Sequence, residues 1–161
     1  MKNIVLLMND SLRNSIFDEK TMAELREFGN VYINDVDENP DSERAKELIK
    51  DAHIVITSWG CPQIDKEILD TAPNVELVAH AAGSVKGIVS DELWDRGIRV
   101  TGSAKAIGIG VAETALGLTI ASLKNMWQLS ENTSKGEWNL GKDKVREVYG
   151  VNIGVIGAGR A

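Results

Sequence analysis

The chain has 161 residues, of which 43% are apolar and 26% are charged, and its 18 basic and 24 acidic residues give a formal net charge of -6. This composition is typical of a soluble domain, and from the length we expect one well-packed core rather than a large multidomain protein. Because no cluster of Lys or Arg is present, the sequence does not suit a nucleic-acid binder. Cys61 is the only cysteine, which excludes a disulfide framework and makes a metal site improbable.

The first apolar run, at residues 4–8, is five residues long. A signal peptide or a membrane span needs a longer run. We therefore expect a cytoplasmic protein whose partner is a small molecule or another protein, with neither nucleic acid nor membrane involved.

Five short apolar runs in the first hundred residues predict β-strands. The runs are nearly continuous, which is typical of strands that are buried on both faces of a parallel sheet. They lie at residues 4–8, 30–34, 53–57, 75–81 and 98–101.

Amphipathic segments between these runs predict four helices. The first covers residues 18–28 and ends at Gly29, a C-cap residue that is able to take a positive φ. The second begins near Ser42, and the third and fourth follow Asp65 and Ser90 as N-caps. Alternating strands and helices predict an α/β fold, with a doubly wound parallel sheet and helices on both faces.

After residue 101 the pattern changes. A long amphipathic segment at 111–131 predicts a helix that connects two lobes, and the polar residues 132–144 predict a loop in which Trp138 packs against a helix. Residues 152–156 predict one more buried strand, which leads into Gly157 and Gly159.

Ligands of doubly wound sheets bind at the carboxyl ends of the strands. Asn9, Asp10 and Ser11 follow the first strand and suit either a turn or a ligand contact. Cys61 follows the third strand, but no charged residue lies near it in the sequence to lower the pKa of its thiol, so we expect it to pack inertly.

The loop after the fourth strand is the most informative. Small residues at Ala82 and Gly83, followed by Ser84, allow successive backbone amides to hold an anion such as a carboxylate, and Lys86 adds charge. A plain glycine-rich turn is the alternative. We expect His80, at the end of the strand, to be a hydrogen-bonded structural histidine.

The last residues contain half of a dinucleotide-binding fingerprint. A strand and two glycines are present, but the third glycine would follow Ala161, and the acid that binds the ribose would lie later still. By itself this match is weak.

Several segments together resemble the D-isomer-specific 2-hydroxyacid dehydrogenases, with order and spacing that agree over nearly the whole chain. The segments that carry the resemblance are 79–85, 93–100, 111–113 and 153–160. The resemblance implies a flavodoxin-like substrate domain at residues 1–102. It assigns residues 103–161 to a crossing helix and the start of an incomplete NAD(P)-binding Rossmann domain, so that the chain looks truncated.

The resemblance also implies site residues. Ala82, Gly83 and Ser84 match the loop that holds the substrate carboxylate. The residues that match cofactor-binding positions are Val111, Gly157, Gly159, Arg160 and Ala161, and the implied cofactor is NAD or NADP, with NAD favoured. The sequence departs from the family at Val85, where an aspartate is frequent, and at Ile107, where a polar residue is frequent.

The reaction implied is hydride transfer between the nicotinamide and C2 of a small D-2-hydroxy or 2-keto acid. In the family, the catalytic arginine, acid and histidine lie in later segments, so no catalytic residue is assigned here, and Glu113 is interpreted as an acid at a helix N-terminus. We expect the chain alone to be inactive, and we expect a homodimer. A stand-alone flavodoxin-like module for small-acid binding or dimerisation remains the alternative. A complete enzyme that uses Cys61 or His80 is less favoured.

Overall fold

Five parallel strands form the centre of the first of two units, Met1–Ala104. The computed structural model describes residues 1–157 and Gly159. The strands are β1 (Lys2–Leu7), β2 (Gly29–Ile33), β3 (Ile54–Thr57), β4 (Leu77–His80) and β5 (Arg99–Gly102). Their order is β2-β1-β3-β4-β5, which is that of flavodoxin-like doubly wound sheets. The predicted fold class and all five strands are confirmed.

Helices cover both faces of this sheet and form two apolar clusters. On one face lie α3 (Ser42–Ile49), α4 (Lys66–Asp70) and α5 (Asp91–Asp95), whose Ile49, Leu69 and Leu93 are fully buried against strand residues such as Val55. On the other face lie α1 (Asp10–Ile16) and α2 (Glu19–Phe28), with Met22 packed among Ile4, Leu6 and Ile56. The continuous apolar runs of the strands follow from this burial on both faces.

Two predicted helix ends lie at the expected residues, Gly29 and Ser90, but neither cap forms as expected. Gly29 has an extended φ of -176°. A glycine is required there because an added Cβ would come under 3.0 Å from the backbone oxygen of Lys2 on the neighbouring strand. Ser90 makes no capping hydrogen bond, because its hydroxyl donates to the Ile64 carbonyl at 2.6 Å. The Asp65 cap is confirmed, since its carboxylate accepts from the amide of Ile68 at 3.0 Å.

The helix α1 was not predicted. Asn9 caps it, with its side-chain oxygen accepting from the amide of Leu12 at 2.7 Å. The polar residues after β1 therefore begin a helix. Turns and helix N-termini draw on the same residue types, which is why the sequence alone leaves the two interpretations open.

Among its described residues, the second unit, Lys105–Ala161, contains two α-helices where one was predicted, and a short 3-10 helix at Lys142–Lys144. α6 (Ala104–Leu123) begins earlier than expected and contains Gly108 and Gly110, and α7 (Met126–Ser134) follows it. Asn125, which has a left-handed φ of 50°, separates them. Since α-helical residues need negative φ values, the predicted continuous helix at 111–131 is interrupted at this residue.

The predicted strand at residues 152–156 is not formed. The segment is irregular, with Val155 and Ile156 exposed. Pairing with a neighbouring strand is what stabilises a strand, and within the described residues of this unit no other strand is present. The expectation for Trp138 is also wrong, because its ring is 66% exposed and lies under the Lys142 ammonium, 4.4 Å from the ring centre.

The helix α6 has an unusual surface. In the described part of the chain it is the one helix whose length and apolar composition would suit a membrane span, and only 6% of that stretch is buried. Ile109, Leu116 and Leu118 are more than half exposed. A helix that is apolar all round is typical of one enclosed by protein or lipid.

Candidate functional site

The loops after β1, β3 and β4 begin at the same edge of the sheet. Leu7 pairs with Thr57, and Thr57 pairs with His80, so the three strands end in register. Because parallel strands bring their carboxyl ends together, the residues that follow them surround one region. The predicted substrate-binding loop lies at this edge.

That loop is held by hydrogen bonds to its carbonyl groups. The amide of Ser103, after β5, donates to the carbonyls of His80 at 3.2 Å and Ala82 at 2.9 Å. The Ala82 side chain is buried, whereas Ser84 is exposed. Ser84 Oγ accepts weakly from the amide of Lys86 at 3.4 Å.

The backbone N–H groups of this loop differ from its carbonyl groups in their hydrogen bonding. In residues 1–157 no hydrogen bond is formed by the backbone N–H groups of Ala82, Gly83 and Ser84. Successive unpaired amides form a concavity of positive potential that suits an oxyanion. A carboxylate is a matching ligand because each of its oxygens accepts two hydrogen bonds.

His80 is a buried structural residue. Its Nδ1 lies 2.9 Å from the hydroxyl of Thr57, which is also buried. Burial lowers the pKa of His80, because the charged imidazolium is poorly solvated there. The expectation of a hydrogen-bonded structural histidine is confirmed.

The second histidine lies at the opposite edge of the sheet. His53 precedes β3, and its Nδ1 accepts from the amide of Asn3 at 3.2 Å. His53 is therefore not positioned to exchange a proton with a ligand held by the loop at 82–84.

The turn after β3 is fixed by Cys61. The Cys61 sulfur accepts from the Ser58 amide at 3.3 Å, and its thiol donates to the Leu7 carbonyl. Burial raises the pKa of Cys61 to about 11, so the thiol stays protonated and unreactive near neutral pH. Inert packing is confirmed, and the turn leaves Trp59 57% exposed.

The polar residues after β1 bond to other side chains of the same unit. Asn9 donates from Nδ2 to the Asn39 side chain at 2.7 Å, and Asp10 pairs with Arg13. Ser11 donates from its amide to Asp37 at 2.9 Å, and the Ser11 hydroxyl does so too. These bonds lower the pKa of Asp37. The structural interpretation of this segment is therefore favoured over ligand contact.

The predicted cofactor residues lie in the second unit. Val111 is half exposed on α6 and lines a shallow apolar groove with Ile107, Thr114 and Leu118. Glu113 lies in the middle of α6, so its interpretation as a helix N-terminal acid is wrong, because the helix begins at Ala104.

Gly157 has a φ of 105°, which suits the tight turn of a dinucleotide fingerprint. An added Cβ at Gly157 or Gly159 would meet no atom within 4 Å, so the described residues form no closed cradle. Arg160 and Ala161 lie outside the described residues. This part of the chain fits only the beginning of a dinucleotide site.

Comparison with known proteins gives a consistent result. The family model for the catalytic domain of D-isomer specific 2-hydroxyacid dehydrogenases matches residues 5–136. The D-3-phosphoglycerate dehydrogenase of Methanocaldococcus jannaschii is 29% identical over 157 residues, which cover 98% of this chain and 28% of the relative. The glyoxylate reductase of Thermococcus gammatolerans is 29% identical over 147 residues, which cover 84% of this chain and 42% of the relative.

Solved structures share the fold. The NAD-dependent formate dehydrogenase of Staphylococcus aureus, crystallised with NAD, superimposes with a TM-score of 0.65 at 21% identity, covering 91% of this chain and 45% of that protein. The chain thus spans less than half the length of each of these three proteins.

Proposed function

The chain belongs to the D-isomer-specific 2-hydroxyacid dehydrogenase family, and from this premise we propose that residues 1–102 form the substrate lobe of an NAD(P)-dependent oxidoreductase acting on a small D-2-hydroxy acid. The reaction interconverts the 2-hydroxy and 2-keto acids, and NAD or NADP, with NAD favoured, supplies the hydride acceptor or donor. The single observation that carries this proposal is the row of unpaired amides at Ala82, Gly83 and Ser84.

These amides bind the carboxylate that all 2-hydroxy acids share. Hydrogen bonds to a charged acceptor are about twice as strong as neutral ones. The loop is fixed by the Ser103 amide, so that the donors are oriented before the ligand arrives. Holding the carboxylate fixes C2, which is the atom that reacts.

The second unit makes contact with the cofactor in this proposal. Val111 would contact the nicotinamide ring, and Gly157, Gly159, Arg160 and Ala161 would bind the pyrophosphate. The apolar groove at Val111 and the positive φ of Gly157 support this assignment.

The 161 residues by themselves do not catalyse the reaction. A general acid or base must reach the C2 oxygen. His80 is hydrogen-bonded to Thr57, and His53 lies at the other edge of the sheet. We expect no turnover of D-lactate, D-glycerate or glycolate with NAD or NADP. Steady reduction of NAD by the purified chain would refute this statement.

A small-acid-binding module is the second candidate. The observation that favours it is that the unit Met1–Ala104 contains the whole amide loop and its own apolar core. Calorimetric titration of the chain with glyoxylate, pyruvate and hydroxypyruvate separates the two. Tight binding without NAD favours the module, whereas weak binding favours a lobe whose site is completed by cofactor contacts.

We also propose that the protein is a homodimer through α6. The exposed apolar side chains of Ile109, Leu116 and Leu118 support this, since large apolar patches are rare on monomers. Light scattering is expected to show a dimer that the substitution Leu116→Glu dissociates, whereas Ser130→Glu, at an exposed polar position on α7, leaves it intact. A monodisperse wild-type monomer contradicts the proposal.

A further inference from the structure

The turn that carries the exposed Trp59 is hydrogen-bonded to the segment that leads into the amide loop, at the carboxyl edge of the sheet. Ser58 Oγ donates to the Ala81 carbonyl at 3.3 Å, and Trp59 and Ala82 are the next residues of the two segments. Consecutive Cα atoms are ~3.8 Å apart, so the backbone of Trp59 lies one residue along the chain from the hydrogen bond that joins the two segments. The Trp59 side chain is 57% exposed.

Exposure alone does not distinguish this tryptophan. Trp94, Trp127 and Trp138 are also more than half exposed. Trp59 differs from them in its place, because it alone among the four follows a sheet strand at the edge that carries the unpaired amides.

The turn that carries Trp59 is fixed from three sides. The Cys61 thiol donates to Leu7 on β1, and Ser58 donates to the segment after β4. Gly60 has a φ of 79°, and an added Cβ there would come under 3.0 Å from the side chain of Asn39, after β2. A rigid turn that presents an aromatic face loses little entropy when a ligand packs against it.

The charged side chains at this edge disfavour a ligand that carries several negative charges. Acidic side chains follow β1 and β2 at Asp10, Asp35, Asp37 and Glu38, while the basic side chain in the amide loop itself is the exposed Lys86. Arg13 and Arg44 are paired with acids. A phosphate group typically needs a cluster of Arg or Lys side chains.

We propose that Trp59 determines substrate specificity by packing against the side chain that C2 of the acid carries, so that the preferred substrates are D-2-hydroxy or 2-keto monocarboxylates with an apolar, best aromatic, substituent. This rests on the proposed function, because the amides of Ala82, Gly83 and Ser84 hold the carboxylate. An aromatic substituent on C2 suits this role, because paired aromatic rings stabilise each other at centre-to-centre distances of about 4.5–7 Å.

The test uses the ¹⁵N-labelled chain and the matched pair D-lactate and D-phenyllactate, which differ by one phenyl ring. Both acids should shift the NMR resonances of the Gly83 and Ser84 amides. Only D-phenyllactate should also shift the indole N–H of Trp59, and it should bind about two- to twelvefold more tightly, as an aromatic pair predicts. D-3-phosphoglycerate should bind no more tightly than D-lactate.

Variants identify the residue responsible. Trp59→Ala should remove the preference for D-phenyllactate and leave the affinity for D-lactate unchanged, while Trp59→Phe should keep part of the preference. Trp94→Ala, which removes an exposed indole from α5, should retain all of it. Retained affinity for D-lactate shows that Trp59→Ala is folded and that its amide loop is intact.

The outcomes separate the two proposals. If both acids shift the amides but D-phenyllactate leaves the indole unchanged, or if Trp59→Ala keeps the preference, the role of Trp59 is refuted and the carboxylate site stands. If neither acid shifts the amides, the carboxylate site itself is refuted, and the role of Trp59 with it.

Discussion

Substituting Gly60 tests how the edge that carries Trp59 is built. In Gly60→Ala the new Cβ imposes two costs. The φ of 79° is unfavourable for any residue with a Cβ, by about 1–2 kcal/mol. The Cβ also displaces the Asn39 side chain and breaks its hydrogen bond with Asn9, for about 0.5–1.5 kcal/mol. We expect Gly60→Ala to lower the free energy of unfolding by about 1.5–3.5 kcal/mol, the sum of these two costs.

A matched control separates the two costs. Gly97 has a similar φ of 68°, and an added Cβ there would meet no atom within 4 Å. Gly97→Ala should therefore show the backbone cost alone. Urea denaturation followed by circular dichroism measures both variants. Equal costs for Gly60→Ala and Gly97→Ala would refute the reasoning, and so would a cost of Gly60→Ala that stays unchanged in an Asn39→Ala background.

Three further predictions concern buried groups in the first unit. Burial raises the pKa of Cys61 from 9.0 to about 11. As the pH rises, the thiol therefore loses its proton in the unfolded chain before it does so in the folded protein. Stability should fall as pH rises from about 9 to 11, and Cys61→Ala should remove this part of the urea-midpoint profile. Burial lowers the pKa of His80, so on acidification the imidazole is protonated in the unfolded chain before it is protonated in the folded protein, near the ordinary histidine pKa of about 6.5. The free energy of unfolding should therefore fall as the pH drops below that value, and it should fall less steeply in His80→Gln. Leu69→Ala, at a fully buried position, should cost about 2–5 kcal/mol in urea titrations, whereas Leu118→Ala, at a position 52% exposed, should cost far less; equal losses would contradict the assigned burial.

The sheet could be predicted from the sequence because its signal is local. Each strand of a parallel sheet buried on both faces reads as a continuous apolar run, and the runs at 4–8 and 53–57 correspond to β1 and β3. The helix α1 escaped prediction because it is seven residues long with no buried residue, and its polar start at Asn9 has the composition of a turn.

Other errors arose where structure depends on distant residues. The need for glycine at Gly29 comes from Lys2 on the neighbouring strand, which no local pattern reveals. The apolar run at 152–156 has the composition of a strand but no strand to pair with among the described residues. In contrast, the loop at 82–84 was predicted as an anion site from its small residues. Its unpaired amides are consistent with that interpretation.

The proposed function depends most directly on recognition of a carboxylate by the amides of Ala82, Gly83 and Ser84. The decisive measurement compares D-lactate with D-lactamide, which has the same size but lacks the negative charge, in NMR titrations of the labelled chain. D-lactate is expected to shift these three amide resonances with saturation, and D-lactamide is expected to leave them nearly unchanged. Equal shifts with both ligands, or no shift with D-lactate, would contradict the account.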